Sequence, residues 1–295
     1  MKTIPLFKGT SGLNTVDNPR RIQGSDLGVA INIKIDQSGQ PQRRDGQELL
    51  QSGAFHSIFS DTYSCFTVKA GTIYELGTDN SITSVKTGLT NNRVSWCNAA
   101  GRFFYTNGVD YGIIQNGEYT EWVKTAYMGG ETDKELVGPF AGNHLAFHGG
   151  RIFIARDNAI WWSEQHSLGL FHLFGSFVQF NTPIRMMAPV DGGMFVSTER
   201  RIHFLTGKNP AQFQPTVVCN FPALEWSLCQ QKISGMEIQL QTPGLCALWN
   251  STEGAIAGHP SGASENLTKQ KIIYPENVSQ GFSVLNGYNF IHRSY

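Results

Sequence analysis

The sequence predicts an all-β protein, a β-propeller-like repeat of about five to six small antiparallel sheets closed by N- and C-terminal strands. Helical periodicity is almost absent, whereas short runs rich in Val, Ile, Phe, Tyr and Trp recur between clusters of Gly, Asn, Asp and Ser. That alternation of strand formers with turn residues is the signature of short antiparallel strands. The second observation is a repeated hairpin. An apolar triplet and a polar turn lead to a second apolar strand whose matching position lies eight residues after the triplet begins. The third is the interval between these units, which matches the roughly 40 to 50 residues of a propeller blade.

The five units are Cys65-Phe66-Thr67 with Ile73-Tyr74, Phe103-Phe104-Tyr105 with Tyr111, Ile152-Phe153-Ile154 with Ile160-Trp161, Met194-Phe195-Val196 with Ile202-His203-Phe204, and Ala247-Leu248-Trp249 with Ala255-Ile256. They start 38, 49, 42 and 53 residues apart. A sixth triplet, Phe290-Ile291-His292, ends the chain without room for a second strand, so another segment is expected to complete its sheet. The N-terminal hairpin, Ala30 to Ile35 and Gln40 to Arg44 around the Asp36-Gln37-Ser38-Gly39 turn, is the expected donor, because closure removes two exposed sheet edges. Two packed layers, as in a β-sandwich, remain the alternative that turn spacing alone does not exclude.

Domain organisation follows from the same pattern. Residues 1–23, rich in Gly, Asn, Thr, Pro and basic side chains, read as an extended arm outside the ring, and residues 24–295 as the propeller domain. The longest stretch that fits no blade is an insertion at about 124–143, with Gly129-Gly130, Glu131, Asp133, Glu135 and Gly138-Pro139. Long insertions in compact domains are commonly functional or mobile, and this one is expected to project from one face and touch a partner, a solvated loop being the plainer alternative.

Composition bounds the function. Lys plus Arg and Asp plus Glu both number 23, so the formal net charge is zero and no long-range field steers the protein to nucleic acid or to an acidic membrane. Charged residues make up only 16% of the chain and aromatic residues 12%, which points to surface covered by neighbouring copies or partners; replacement of charge by Thr, Ser, Asn and Gly, common in all-β proteins, is the plainer alternative. The five cysteines, an odd number without a CxxC pair, read as buried free thiols of a protein assembled in a reducing cytoplasm. No run approaches the ~18 apolar residues of a membrane span, so membrane insertion is not expected.

Two segments carry a resemblance. Pro5-Leu6-Phe7-Lys8-Gly9-Thr10-Ser11-Gly12-Leu13-Asn14, Asp17-Asn18-Pro19-Arg20-Arg21 and the hairpin from Ala30 through Gly39 to Arg43-Arg44-Asp45-Gly46 form the first. Ile160-Trp161-Trp162-Ser163-Glu164 followed by Phe171 and Phe174, Ile184-Arg185 to Gly193, and Phe195-Val196-Ser197-Thr198-Glu199-Arg200-Arg201-Ile202 to Gly207 form the second. Together they resemble tailed-phage tail-nozzle and packaged-DNA-stabilisation proteins. The resemblance implies a structural component of a bacteriophage virion: a subunit of a ring-shaped oligomer, usually of six copies, assembled in the host cytoplasm. It further implies docking to other neck and tail proteins and to fibre proteins, with DNA met only by passage through a channel. The chain is shorter than many nozzle proteins, which leaves a baseplate or tail-tip role open, including binding of a carbohydrate receptor.

The candidate interaction residues are few. Arg20, Arg21, Arg43 and Arg44 form two basic pairs suited to acidic patches of a neighbour or to phosphates lining a channel; solvated surface pairs are the plainer alternative. Trp161 and Trp162 offer faces for sugar stacking beside Glu164, the best acid for a glycosidase, but no second carboxylate is identifiable. No nucleophile elbow, zincin motif or phosphate loop is present, and the closest histidine pairs, His144 with His148 and His166 with His172, lack a helix to bring them together. The expectation is therefore a non-enzyme without catalytic, cofactor-binding or metal-binding residues.

Overall fold

The computed structural model describes residues 10–294 apart from 37, 47, 62–63, 128–131, 234–242, 269–270, 274–277, 279 and 287–288. Five small antiparallel sheets are arranged as a five-blade β-propeller, and the lone helical element among the described residues is a single 3₁₀ turn at Pro210–Gln212. Blade I comprises His56–Ser60, Cys65–Lys69, Thr72–Leu76 and Ile82–Lys86. Blade II comprises Ser95–Ala99, Arg102–Thr106, Tyr111–Gln115 and Glu118–Thr120. Blade III uses His144–His148, Arg151–Arg156 and Ala159–Glu164, and two short strands, Ser167–Phe171 and Phe177–Gln179, share the fourth position. Blade IV comprises Ile184–Val190, Gly193–Thr198, Ile202–Thr206 and Pro215–Cys219. Blade V comprises Cys229–Ile233, Gly244–Ser251, Gly254–Gly258 and Ser264–Asn266.

The repeated hairpin is the second and third strand of every blade. Its register is the same five times, since the fourth residue of each unit faces the ninth: Val68↔Ile73, Thr106↔Tyr111, Ala155↔Ile160, Ser197↔Ile202 and Asn250↔Ala255. These strands read clearly in the sequence because both of their faces pack on neighbouring blades, so apolar residues run on without strict alternation. Turn chemistry enforces the register. In blade I the strands are joined by Ala70 and Gly71 with φ of +49° and +69°, the left-handed pair that a tight hairpin requires.

Four apolar clusters fill the spaces between blades. Phe66, Val68, Ile73, Phe103 and Tyr105 join I to II, and Phe104, Trp122, Ile152, Ile154 and Phe171 join II to III. Phe153, Ile160, Trp162, Met187 and Val196 join III to IV, and Phe195, Phe204, Trp249 and Ile256 join IV to V. Among the described residues no such cluster joins blade V to blade I. That seam is where the chain differs from the closure its sequence suggests. The N-terminal hairpin Ile33–Ile35 with Pro41–Arg43 and the C-terminal hairpin Gly281–Asn286 with Asn289–Ser294 remain separate two-stranded sheets. The sixth triplet thus finds its partner locally, in the strand just before it. The Glu225↔Gln280 bridge brings the start of this hairpin alongside blade V.

Two boundaries also differ. The described part of the expected arm, residues 10–23, folds back: Gly12–Leu13 pairs in parallel with Asp26–Leu27, and Thr15 donates its backbone N–H to the Lys271 carbonyl (2.7 Å). Asn14 is buried there and bonds Asp17 and Asp26, so the small N-terminal unit runs across residue 23. The insertion at 124–143 does not project where it is described. Val137 exchanges two backbone hydrogen bonds with Phe171 (2.9 and 3.0 Å), Phe140 packs on Trp161 and Phe171, and Lys134 reaches Glu164 (2.9 Å). Its apolar positions cover the outer edge of blade III, which a purely polar loop would leave open. Gly129, Gly130 and Glu131 lie outside the described residues.

Candidate functional site at the channel mouth

The first strands of the blades surround a central cavity of about 970 Å³. Their starting ends are laced together in order. Ser57 Oγ accepts the Val94 backbone N–H (2.8 Å) and the Ser57 carbonyl accepts the Trp96 indole N–H (3.0 Å). Ser95 Oγ in turn accepts the Leu145 backbone N–H (2.9 Å). The first strands of blades I, II and III therefore begin at one mouth, where Arg93, His144, Arg185 and Trp226 line the cavity and Glu225 lies beside His144.

Local structure aims each of them. Arg185 sits at a register break between Ile184 and Met186, and such a bulge turns a side chain out of its alternation. Its guanidinium lies 3.5 Å from Glu199, on the turn after the second strand of blade IV. Trp226 takes φ +66°, a strained conformation for a bulky side chain, and its ring packs against His144 with centroids 5.0 Å apart. His144 is buried, and its Nε2 lies 3.8 Å from Glu225 Oε1 without a hydrogen-bond partner among the described residues.

Burial sets the protonation. It pushes the His144 imidazole down to about 4, against a smaller opposing effect of the Ile184 backbone, so the ring is neutral at neutral pH. Burial pushes the Glu225 carboxyl up; Arg185 and Arg93 pull it back, and Glu199 pushes it further up. Two guanidinium groups thus stand with two carboxylates, and the rim carries no excess charge.

The residues singled out from sequence lie elsewhere. Arg20, Arg21, Arg43 and Arg44 are exposed, and none forms an ion pair among the described residues. Lys34 rather than an arginine takes the nearby carboxylate, Asp45 (2.7 Å). The Trp pair is split by strand alternation. Trp162 is buried between Phe153 and Phe213, while half-buried Trp161 packs on Phe140 and Phe177 and donates its indole N–H to the Leu173 carbonyl (3.1 Å). Trp162 is thus enclosed, whereas Trp161 also lines a small pocket with Val137, Pro139, Phe140, Arg156 and Leu173. Glu164 is held by Lys134 (2.9 Å) and Arg151 (3.8 Å), tying the insertion to blade III. Trp249, fully buried, belongs to the core between blades IV and V.

Among the described residues no group of three His, Cys, Asp or Glu is placed to hold a metal ion, and no helix is long and apolar enough to cross a membrane. Cys97, Cys219 and Cys246 are buried free thiols, and Cys65 and Cys229 are partly exposed ones.

No protein-family model matches the chain, and no curated protein matches it. Solved structures do. A virginiamycin B lyase from Staphylococcus aureus, solved as an inactive form with quinupristin, matches with a TM-score of 0.52 at 11% identity, covering 89% of this chain and 90% of that one. The extracellular domain of a protein described as a hybrid two-component system of B. thetaiotaomicron matches with a TM-score of 0.54 at 13% identity over 82% of this chain. This chain spans only about a third of that domain, 30% of its length. At such identities the likeness is one of fold.

Proposed function

We propose that the protein is a structural docking component that assembles through its N-terminal segment, and that it serves as a ring-forming subunit in the neck or tail of a bacteriophage virion. One observation carries the assembly reading. Between residue 10 and the start of blade I, Asn14 alone among the described residues is buried, whereas Val16, Val29, Ile31, Leu49 and Leu50 are 46%, 74%, 79%, 79% and 53% exposed. A run of about 45 residues that holds a defined backbone yet leaves these five aliphatic side chains exposed finds their packing partner on another molecule. The hairpin at Ile33–Ile35 and Pro41–Arg43 has two unpaired edges among the described residues, and edge pairing with a neighbouring copy supplies register as well as affinity. The virion placement rests on the resemblance of this same segment to tail-nozzle proteins. A role as a glycan-binding tail tip through Trp161 and Trp162 is less well supported, since the rings are engaged within blade III.

The test is mass photometry of the full chain beside a Val29→Ser, Ile31→Ser, Leu49→Ser, Leu50→Ser variant. Assembly of the parent into rings and a folded, monomeric variant are expected. A parent that stays monomeric at micromolar concentration and is missing from purified virions overturns the reading.

A further inference from the structure

The geometry points to a second property, independent of assembly: the channel binds an uncharged amphiphile, its apolar body in the cavity and a hydroxyl-bearing head at the rim formed by Arg93, His144, Glu225 and Trp226. The cavity volume, about 970 Å³, lies at the upper end of the roughly 300–1,000 Å³ of small-molecule sites. Its wall is mixed, with Ser57, Thr67, Asn98 and Gln230 set among a larger apolar share. Phe59, Val94, Leu145, Met186, Leu228 and Leu245 contribute to it, from all five blades or the segments leading into them, and Phe282 enters from the C-terminal hairpin. Water against the apolar part of this wall gains few hydrogen bonds, and an apolar guest displaces it there favourably.

The rim selects the head. Arg185 is matched by Glu199, and Arg93 lies within the field of Glu225, so neither a carboxylate nor an ammonium guest meets a net opposite charge. A hydroxyl answers what remains. The gap of 3.8 Å between His144 Nε2 and Glu225 Oε1 is too long for a direct hydrogen bond. An oxygen placed between them reaches both, because a hydroxyl donates and accepts at once and so suits either tautomer of the neutral imidazole. It would also satisfy a buried nitrogen that has no partner among the described residues. The Trp226 ring now packs on His144 and has to turn aside as the head enters; its strained backbone lowers the cost of leaving that position. Turned outward, the ring offers an apolar face to the C–H surface of a hydroxylated head.

The experiment titrates the full chain with decyl maltoside below its micelle concentration, and in parallel with maltose and with decanoate, following tryptophan fluorescence and heat. Saturable binding of decyl maltoside at one molecule per chain is expected, with decanoate weaker and maltose silent. Glu225→Gln and Trp226→Ala should each weaken it about tenfold, equivalent to about 1.4 kcal/mol. Met186→Trp, which fills the cavity, should abolish it, and all three variants should keep the parent's far-ultraviolet circular dichroism. Binding of maltose alone, decanoate binding more tightly than decyl maltoside, no saturable binding in any arm, or affinity unchanged in both rim variants overturns the proposal. Because the assembly-deficient variant retains the channel, it should bind as the parent does, which separates this outcome from that of the assembly test.

Discussion

Trp249 is the largest fully buried side chain of the core, and its indole N–H has no hydrogen-bond partner among the described residues. Those two facts make opposite contributions that substitution can separate. Trp249→Ala removes the whole ring from between Phe195, Phe204 and Ile256, a change that costs about 3–5 kcal/mol in buried positions. Trp249→Phe keeps most of the ring. The volume lost is on the order of 40 Å³, which at ~24 cal/mol per Å³ comes to about 1 kcal/mol, and the ring atoms removed forfeit about 1 kcal/mol more of transfer free energy. Against this, phenylalanine abolishes a buried unsatisfied donor, whose desolvation costs about 1–3 kcal/mol. The net effect should fall within about 1 kcal/mol of zero, several-fold smaller than that of alanine. Urea unfolding followed by far-ultraviolet circular dichroism measures both, with equal slopes showing that the unfolded state is unchanged. A Trp249→Phe variant that loses more than about 2 kcal/mol would refute the reasoning, because it would show that the indole nitrogen has a partner or that the ring is irreplaceable for shape.

Other expectations follow from the same coordinates. Gly258 lies against the rings of Trp249 and Phe195, so Gly258→Ala should overpack this core and cost about 1–3 kcal/mol in the same assay. Stability should fall as the pH drops from about 6.5 to about 4, because the unfolded His144 takes up a proton there and the folded one, held at about 4, does not. The full shift corresponds to about 3 kcal/mol, and Glu225, whose carboxyl is pushed up and binds its proton more readily in the fold, opposes part of it. His144→Gln should flatten that slope, as read by melting temperature across the range. Ending the chain at residue 280 removes the C-terminal hairpin but leaves the four inter-blade cores. Calorimetry should show a lower, broader transition with the β-sheet spectrum retained, and an unchanged transition would show that the seam is closed without the hairpin.

The sequence displayed the propeller through its middle strands. Ile152 to Ile154 and Met194 to Val196 are buried on both faces, so their apolar runs are dense and their turns sharply marked. The outer strands were much harder to read. Glu118–Thr120 and Ser264–Asn266 are three residues long and partly exposed, and blade III divides its outer position between two segments, a choice no periodicity encodes. The termini misled for a related reason. A lone apolar triplet such as Phe290-Ile291-His292 indicates a strand but not its partner, and pairing with residues 281–286 closes a tight local loop at far lower entropic cost than a partner more than 200 residues away.

The channel mouth was invisible in the sequence because its members share a position in the blade and no motif in the chain. Arg93, His144, Arg185 and Glu225 fall at four different blade entries, and single charged residues near strand starts are ordinary solvent-facing features until the ring brings them together. A physical signal did exist in part: Asn143-His144-Leu145 and Ile184-Arg185-Met186 place a titratable side chain directly before or within an apolar strand, where burial has a cost unless partners converge. The strain at Trp226 has the same origin, since the backbone is held in an unfavourable region while its ring covers a buried nitrogen. Stability alone does not account for a neutral histidine whose Nε2 has no hydrogen-bond partner among the described residues, a raised carboxyl and a strained tryptophan in one place. Each is costly, and together they mark the mouth of the channel as a surface arranged for a guest.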